Sequence, residues 1–407
     1  MADFYQNGII TTLHNLDERP IEAMEADLLK FSQTRPLGLI LPSLFSELEG
    51  EALPHIIKEL RSVPYLAQIV IGLDRADLAQ FQHAGEFFAN LPQHHRILWN
   101  DGPRLRALDQ KLQNLKLAPT EMGKGRNVWY CMGYTLASRK TESVALHDCD
   151  ILTYDRALLA RLIYPVANPQ FNYEFCKGFY ARVADGKING RVSRLLVTPL
   201  LRALKCTLGD NEYIEFMDSF RYPLAGEFSF RRDVLNDIRI PSDWGLEIGV
   251  LSEMHRNYAH NRLCQADIAR FYDHKHQDLS LESEQGGLSK MSIDITKALF
   301  RKLATQGHTF STEMFRSIKA TYFRIALDFI ETYHNDAVMN GLSLDIHNEE
   351  KAVEMFAKNI MKAGQSFLEN PMETPFIPSW NRVVSAMPEV LDELYQAVED
   401  DYNEWIK

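Results

Sequence analysis

The sequence contains no C-x-x-C pair, and its cysteines (Cys131, Cys149, Cys176, Cys206 and Cys264) are odd in number and scattered. That spacing argues against a zinc ribbon and against a disulfide framework. No stretch reaches the roughly 18 uninterrupted apolar residues of a membrane span. Residues Met1 to Asn15 lack the basic-then-apolar layout of a secretory leader. Together these absences point to a reducing, cytoplasmic compartment. Basic residues are in short supply: 44 Lys plus Arg against 55 Asp plus Glu give a net charge of −11. A chain this acidic is a poor coat for DNA or RNA, although a small anionic substrate needs only a local basic pocket. There is no Walker signature, internal repeat or low-complexity tract. What is present is a globular composition: 16 Tyr, 22 Phe and 5 Trp in 407 residues supply a sizeable core and exclude global disorder.

Apolar spacing lays out an alternation. Residues 19–33 fit an amphipathic helix, with Pro20 at its first position and Ile21, Met24, Leu28 and Phe31 on one face. Residues 37–41 read as a buried strand stopped by Pro42, 47–61 as a helix and 67–71 as a second strand. Then come a helix over 76–91, a strand over 95–99 and helices over 103–115 and 126–139. A fourth strand, 143–147, runs into Asp148-Cys149-Asp150. The alternation predicts an α/β fold: a mostly parallel, Rossmann-like sheet with helices on both faces. Ligands of such sheets bind beyond the carboxyl ends of the strands. The weight therefore falls on Ser43 to Glu47, Asp74, and Asp148 to Asp150. The pattern loosens from about 170 to 280, residues 282–288 read as a linker, and the remainder is helical. The expected division is a catalytic unit over 1–285, with a donor half at about 37–150 and an acceptor half at about 151–285. A C-terminal helical extension over 286–407 follows.

The sharpest motif is His147-Asp148-Cys149-Asp150. Two carboxylates one residue apart, at the end of an apolar strand, share one side. They can hold a hard divalent cation that carries nucleotide phosphates; a simple turn is the alternative. Gly123-Lys124-Gly125-Arg126 offers close backbone approach and a lysine charge where a helix begins, or else an exposed basic turn. Asn189-Gly190-Arg191-Val192-Ser193-Arg194 opens another helix. Its N–H groups, hydroxyl and guanidiniums suit a phosphate or carboxylate, or else are solvated. Glu227 and Glu247 each sit among small and apolar residues, and a buried Glu needs a partner. A sugar hydroxyl and a structural Arg are equal candidates for each. Either His274 or His276 can be a metal ligand, a phosphate contact or a surface residue. His94-His95 reads as structural or surface.

Taken in order, these pieces resemble one family. They are Leu41-Pro42-Ser43-Leu44, Gly123-Lys124-Gly125, Asp148-Cys149-Asp150, Gly190-Arg191-Val192-Ser193, Pro223-Leu224-Ala225-Gly226-Glu227 and Gly245-Leu246-Glu247-Ile248-Gly249. The sequence resembles the glucosyl-3-phosphoglycerate synthases, retaining glycosyltransferases of the GT-A fold, over residues 37 to 280. The resemblance implies that Pro42, Ser43, Leu44 and the loop near Asp74 hold the base and ribose. Glu47 stands where the family has an acidic pair. Lys124 would meet the nucleotide, and Asp148 and Cys149 would line the donor site. Asp150 and His274 would ligate the metal, Mg2+ first and Mn2+ as the alternative. Gly190, Arg191 and Ser193 would cradle phosphoglycerate, with His276 where the family places an acceptor-contacting Asn. Glu247 would hydrogen-bond sugar or acceptor hydroxyls, and the Leu224-Ala225 backbone would lie beside the anomeric carbon. Two departures stand out: Gly72-Leu73-Asp74-Arg75 replaces the usual Asp-Ser or Asp-Gly-Ser loop, and Tyr272 replaces a basic residue.

The expected reaction moves glucose from a nucleoside-diphosphate sugar to 3-phosphoglycerate. Mannose as the sugar and free glycerate as the acceptor stay open. A sugar nucleotidyltransferase and a non-catalytic sugar-nucleotide binder are readings from other classes. No nucleic acid or membrane partner is expected. The kinship suggests a homodimer whose product feeds compatible-solute or polysaccharide synthesis.

Overall fold

The computed structural model describes Gln6 and residues 8–17, 19–274, 287–372 and 376–406. In chain order the first strands are β1 (Thr11–Leu13), β2 (Leu37–Leu44), β3 (Leu66–Asp74), β4 (His95–Trp99), β5 (Ser143–Leu146) and β6 (Phe175–Tyr180). They are followed by β7 (Val183–Ala184), β8 (Lys187–Ile188), β9 (Phe228–Arg231), β10 (Ile240–Pro241), β11 (Leu263–Ala269) and β12 (Phe376–Ile377). An 8-stranded sheet has the order β1-β11-β6-β9-β5-β2-β3-β4, while β7 pairs with β8 and β10 with β12. Within it every neighbouring pair is parallel except those of β9, which runs antiparallel to β5 and to β6. The start of β9 therefore lies at the carboxyl edge of the parallel strands. This places the residues just before Phe228 beside those just after Leu146 and Lys177.

Central strands covered on both faces read as unbroken apolar runs. In β2, Leu39 and Leu41 join one buried cluster with the helices Ile21–Ser32, Ala52–Leu60 and Arg156–Ala167. Ile40 faces the other way, into a cluster shared with the helix Lys124–Ser138. The mostly parallel sheet with helices on both faces is thus as expected. β2 differs in running past Pro42, which is paired in register with Gly72. Pairing with β5 ends at Ile40, so Pro42 occupies a locally edge-like stretch, where a missing N–H is tolerated. The segment 47–61 is not one helix but two, Phe45–Leu48 and Ala52–Leu60, broken around Gly50.

The C-terminal residues form the helices Gly287–Thr305, Thr312–Met339, Ile346–Glu369, Trp380–Ala386 and Val390–Trp405. Their apolar faces share one buried cluster with the sheet: Leu299, Phe315, Ile360 and Trp380 lie in it alongside Trp129 and Phe228. Trp380 stacks on Trp129 with ring centroids 4.2 Å apart. The Trp380 indole donates to the Trp129 carbonyl (3.0 Å), and the Trp129 indole donates to the Pro378 carbonyl (2.9 Å). Truncating a fully buried Trp leaves a large cavity, so Trp380→Ala should cost about 3–5 kcal/mol. The expected outcome is a single thermal transition several degrees lower, read by calorimetry. An unchanged Tm would mean that these helices contribute nothing to the stability of the sheet.

Candidate active site

β5 ends at Leu146, and the chain turns outward through His147 and Asp148. His147 is fully buried, with Nε2 3.2 Å from the Tyr154 hydroxyl, and burial pushes its pKa down to about 4. It is a neutral core residue. Asp148 faces Lys124, the first residue of the helix Lys124–Ser138, and Lys124 Nζ lies 2.6 Å from Asp148 Oδ1. The same Nζ is 3.2 Å from Oε1 of Glu247, in the first turn of the helix Leu246–Asn257. Burial disfavours the lysine charge, but Asp148 and Glu247 outweigh it and hold the pKa above the ordinary lysine value. Burial likewise opposes ionisation of Asp148, and Lys124 overrides it, leaving the carboxyl below its usual range. The buried Glu247 thus has a protein partner, and it is a lysine, where the sequence offered a sugar hydroxyl or an arginine as equal candidates. Gly226 permits this packing, because a Cβ there would stand 2.4 Å from Asp148 Oδ2. Gly125 has a different use: its Cβ would meet the Pro241 carbonyl at 2.1 Å, so it admits backbone from β10. Arg126 points away into a buried pair with Asp109 at 2.8 Å.

Asp150 and His274 come together from distant parts of the chain, with Oδ2 3.6 Å from Nδ1. A backbone bridge between Ile151 and His274 holds the two segments. Burial raises the Asp150 pKa, and the charges of Asp148, Glu47 and Glu227 raise it further against Lys124. Glu47, half-buried in the short helix Phe45–Leu48, is therefore electrostatically part of this group. Cys149 is buried against Ser43, and burial pushes its thiol well above the usual range. The Ser43 hydroxyl donates to the Leu44 carbonyl at 2.9 Å.

A second layer gathers around Glu227, which the sequence singles out, and adds Tyr180 and Lys177, which it does not. Glu227, just ahead of β9, is fully buried and accepts from the hydroxyls of Tyr180 (2.7 Å) and Tyr272 (2.6 Å). Its partners are thus tyrosines, neither of the two candidates considered. The Tyr180 and Tyr272 rings stack at 3.6 Å. Lys177, fully buried in β6, donates to the Ala225 carbonyl, and burial lowers its pKa against the pull of Glu247 and Glu227. Among the described residues, none donates to the Leu224 carbonyl. The available signal was a lysine in the otherwise apolar run Phe-Cys-Lys-Gly-Phe-Tyr.

The remaining expected residues lie further out. Asp74 ends β3 and accepts from Asn100 at 2.6 Å; burial raises its pKa, and its charged neighbours are Arg126 and Asp101. Gly190 has φ +78, a left-handed backbone that favours glycine, and lies beside the Tyr222 hydroxyl and Arg182. Tyr222 packs on Tyr180 at 5.0 Å, and Tyr272 lies 5.9 Å from His274. Aromatic rings therefore run from the Gly190 turn to His274. Arg191 precedes a π-helical turn, Val192–Val197, that runs into the helix Thr198–Leu208. Its Nε donates to Glu349 Oε1 at 2.6 Å, and Arg194 Nη2 is 2.9 Å from Glu349 Oε2. Ser193 is buried, and its hydroxyl has no partner among the described residues. His276 lies outside the described residues.

No family model matches the chain. It is 45% identical over 401 residues to a glucosyl-3-phosphoglycerate synthase of Persephonella marina, covering 98% of this chain and 99% of the relative. The chain belongs to the glucosyl-3-phosphoglycerate synthase family. A second synthase of this family, from Methanococcoides burtonii, is 38% identical over 411 residues, covering 99% of each chain. The crystal structure of the Mycobacterium tuberculosis synthase with Mn2+, UDP and glucosyl-3-phosphoglycerate superposes with a TM-score of 0.52 at 18% identity. That superposition covers 72% of this chain and 88% of the other, and shows a shared fold. Another structure of the same mycobacterial enzyme holds Mg2+ and UDP. Members of the glucosyl-3-phosphoglycerate synthase family are metal-dependent glycosyltransferases, and the cluster lies at the carboxyl ends of the parallel strands, the edge at which open α/β sheets bind ligands.

Gly226→Ala tests that cluster without removing a functional group. The added methyl would stand 2.4 Å from Asp148 Oδ2, so the carboxylate that meets Lys124 must shift. Glycosyl transfer should fall roughly 10- to 100-fold, as misplacement of about an ångström does, with the circular dichroism spectrum preserved. Wild-type turnover in this variant would show that the Lys124–Asp148 contact is dispensable.

Proposed function

We propose that this protein transfers glucose from UDP-glucose to 3-phosphoglycerate with retention, yielding glucosyl-3-phosphoglycerate and UDP. One observation carries the assignment of roles: Asp150 and His274 meet 3.6 Å apart at the sheet edge where Lys124 bridges Asp148 and Glu247. The donor set suits a divalent cation. Carboxylates outnumber lysines there, and the Asp150 pKa is raised by burial first and by the charges of Asp148, Glu47 and Glu227 second. Carboxylate oxygens suit Mg2+ and Mn2+ alike. Asp150 and His274 would hold such an ion, which would supply Lewis-acid neutralisation of the departing diphosphate.

The chain's own groups do the rest. Lys124 brings its charge to the nucleotide, and Ser43, Glu47 and Asp74 border the donor. Both Glu227 oxygens are taken by tyrosine hydroxyls, which makes it a poor covalent nucleophile. Glu247, paired with Lys124, is placed to accept from sugar hydroxyls. Lys177 occupies the Ala225 carbonyl, leaving the Leu224 carbonyl to face the developing positive charge at the anomeric carbon. Without a carboxylate nucleophile, retention follows same-face exchange. The anomeric carbon–phosphate oxygen bond breaks, the bond to the acceptor oxygen forms, and the acceptor proton passes to the leaving phosphate oxygen. Arg191 and the Gly190 turn fix the acceptor anion. The proposal takes the enzyme as a cytoplasmic homodimer. The free cysteines fit a reducing compartment, and the dimer rests on kinship alone.

The test is a panel of sugar nucleotides with 3-phosphoglycerate or glycerate, following nucleoside diphosphate release. UDP release that needs UDP-glucose, 3-phosphoglycerate and a divalent ion is expected. Turnover of GDP-mannose instead would shift the sugar, and diphosphate from a triphosphate plus a sugar phosphate would indicate a nucleotidyltransferase. Asp150→Ala should lose metal-dependent transfer even at saturating Mn2+, whereas near wild-type rates would remove the proposed ligand. Arg191→Ala should raise the acceptor KM by about tenfold or more, the worth of a charged hydrogen bond, at unchanged donor KM. An unchanged acceptor KM would place the anion pocket elsewhere.

A further inference from the structure

The hydrogen bond between Arg191 and Glu349 spans 158 positions and joins the proposed acceptor turn to the C-terminal helix Ile346–Glu369. Glu349 is buried, with 2% side-chain exposure, and carries a carboxylate that needs compensation. It stands between two guanidiniums of different character. Arg194 is 8% exposed, lies over the Tyr333 ring at 4.8 Å and donates through Nε to the Asn189 carbonyl at 2.8 Å. Arg191 is 31% exposed and is bound to Glu349 through Nε alone. Among the described residues nothing takes hydrogen bonds from its Nη1 and Nη2. A guanidinium fixed at Nε presents its terminal N–H groups as a fork, the geometry that binds a phosphate or carboxylate in bidentate fashion.

The segment around these arginines is held by a C-terminal helix and by the turn between the helices Thr312–Met339 and Ile346–Glu369. Ser343 N donates to the Gly186 carbonyl at 2.8 Å. The Tyr322 hydroxyl donates to the Leu195 carbonyl at 2.6 Å. We propose that Glu349 is a positioning residue of the acceptor site: it compensates the buried charge of Arg194, clamps Arg191 by Nε, and aims the Arg191 fork at the acceptor anion. The C-terminal helices thereby complete the site for 3-phosphoglycerate. This inference rests on the glucosyl transfer proposed above and adds a residue to its acceptor pocket.

The test compares wild type with Glu349→Gln and Glu349→Ala by steady-state kinetics in both substrates. The 3-phosphoglycerate dissociation constant, measured by calorimetry, and Tm are read alongside. Glu349→Ala is expected to raise the acceptor KM and dissociation constant about tenfold, with the UDP-glucose KM within twofold of wild type. Glu349→Gln retains an oxygen for Arg191 Nε and should raise them less, about threefold. A purely structural Glu349 would lower Tm and kcat together without separating the two KM values, and that result overturns the proposal. A fall in acceptor KM in either variant also overturns it, because the carboxylate would then be competing with the substrate anion. Should Glu349→Ala fail to fold, the KM separation in Glu349→Gln decides. Wild-type UDP release tests the glucosyl-transfer reading. The dissociation constants need no turnover, so they judge Glu349 independently of it.

Discussion

Crowded negative charge at a low-dielectric edge is the constraint on which this site depends. Asp148, Asp150, Glu47, Glu227 and Glu247 converge where β5, β6 and β9 meet, and Lys124 and Lys177 supply the resident positive charge. Each carboxylate is dealt with differently. Asp148 and Glu247 share Lys124, Glu227 is satisfied by neutral hydroxyls, and Asp150 has an imidazole at 3.6 Å. Desolvation makes an uncompensated buried carboxylate costly. Burial and the neighbouring carboxylates together raise the Asp150 pKa, so compensating positive charge at this edge would be favourable.

Topology makes the crowding possible. A wholly parallel sheet would bring only strand ends to this edge. Because β9 is antiparallel, its beginning reaches the edge instead, so Ala225, Gly226 and Glu227 sit beside Asp148 and Lys177. Gly226 lets the turn press against Asp148, and Lys177 fastens it by the Ala225 carbonyl. One reversed strand thus delivers both an acid and a pair of backbone carbonyls to a place built otherwise from parallel strands and helix N-termini.

Much of this was legible in the residues, and what was not has physical reasons. The buried strands show as apolar runs because both faces are covered, as Leu39 and Ile40 demonstrate by entering opposite clusters. Asp148 and Asp150 stand out because two acids one residue apart follow a buried run, although a turn explains such a pair as well. Lys177 and Tyr180 were hidden, since a strand residue with an apolar stem and a polar tip reads as ordinary packing. Pro42 suggested a strand end, yet β2 continues past it once β5 has stopped pairing. Glu349 carried no local signal: its partners lie in another segment, and only tertiary packing brings them together.

Tyr272 shows how a departure from a family pattern is absorbed. The resemblance leads one to expect a basic residue two positions before His274, which would add positive charge to the edge. Here the side chain is neutral, fully buried, stacked on Tyr180 at 3.6 Å and bonded to Glu227 at 2.6 Å. A hydroxyl satisfies the Glu227 oxygen without adding a positive charge to the cluster. Lys177, buried in the neighbouring strand, already supplies a cation nearby, and a further one would weaken the pull on a divalent ion. The substitution therefore exchanges a charge for a hydrogen bond.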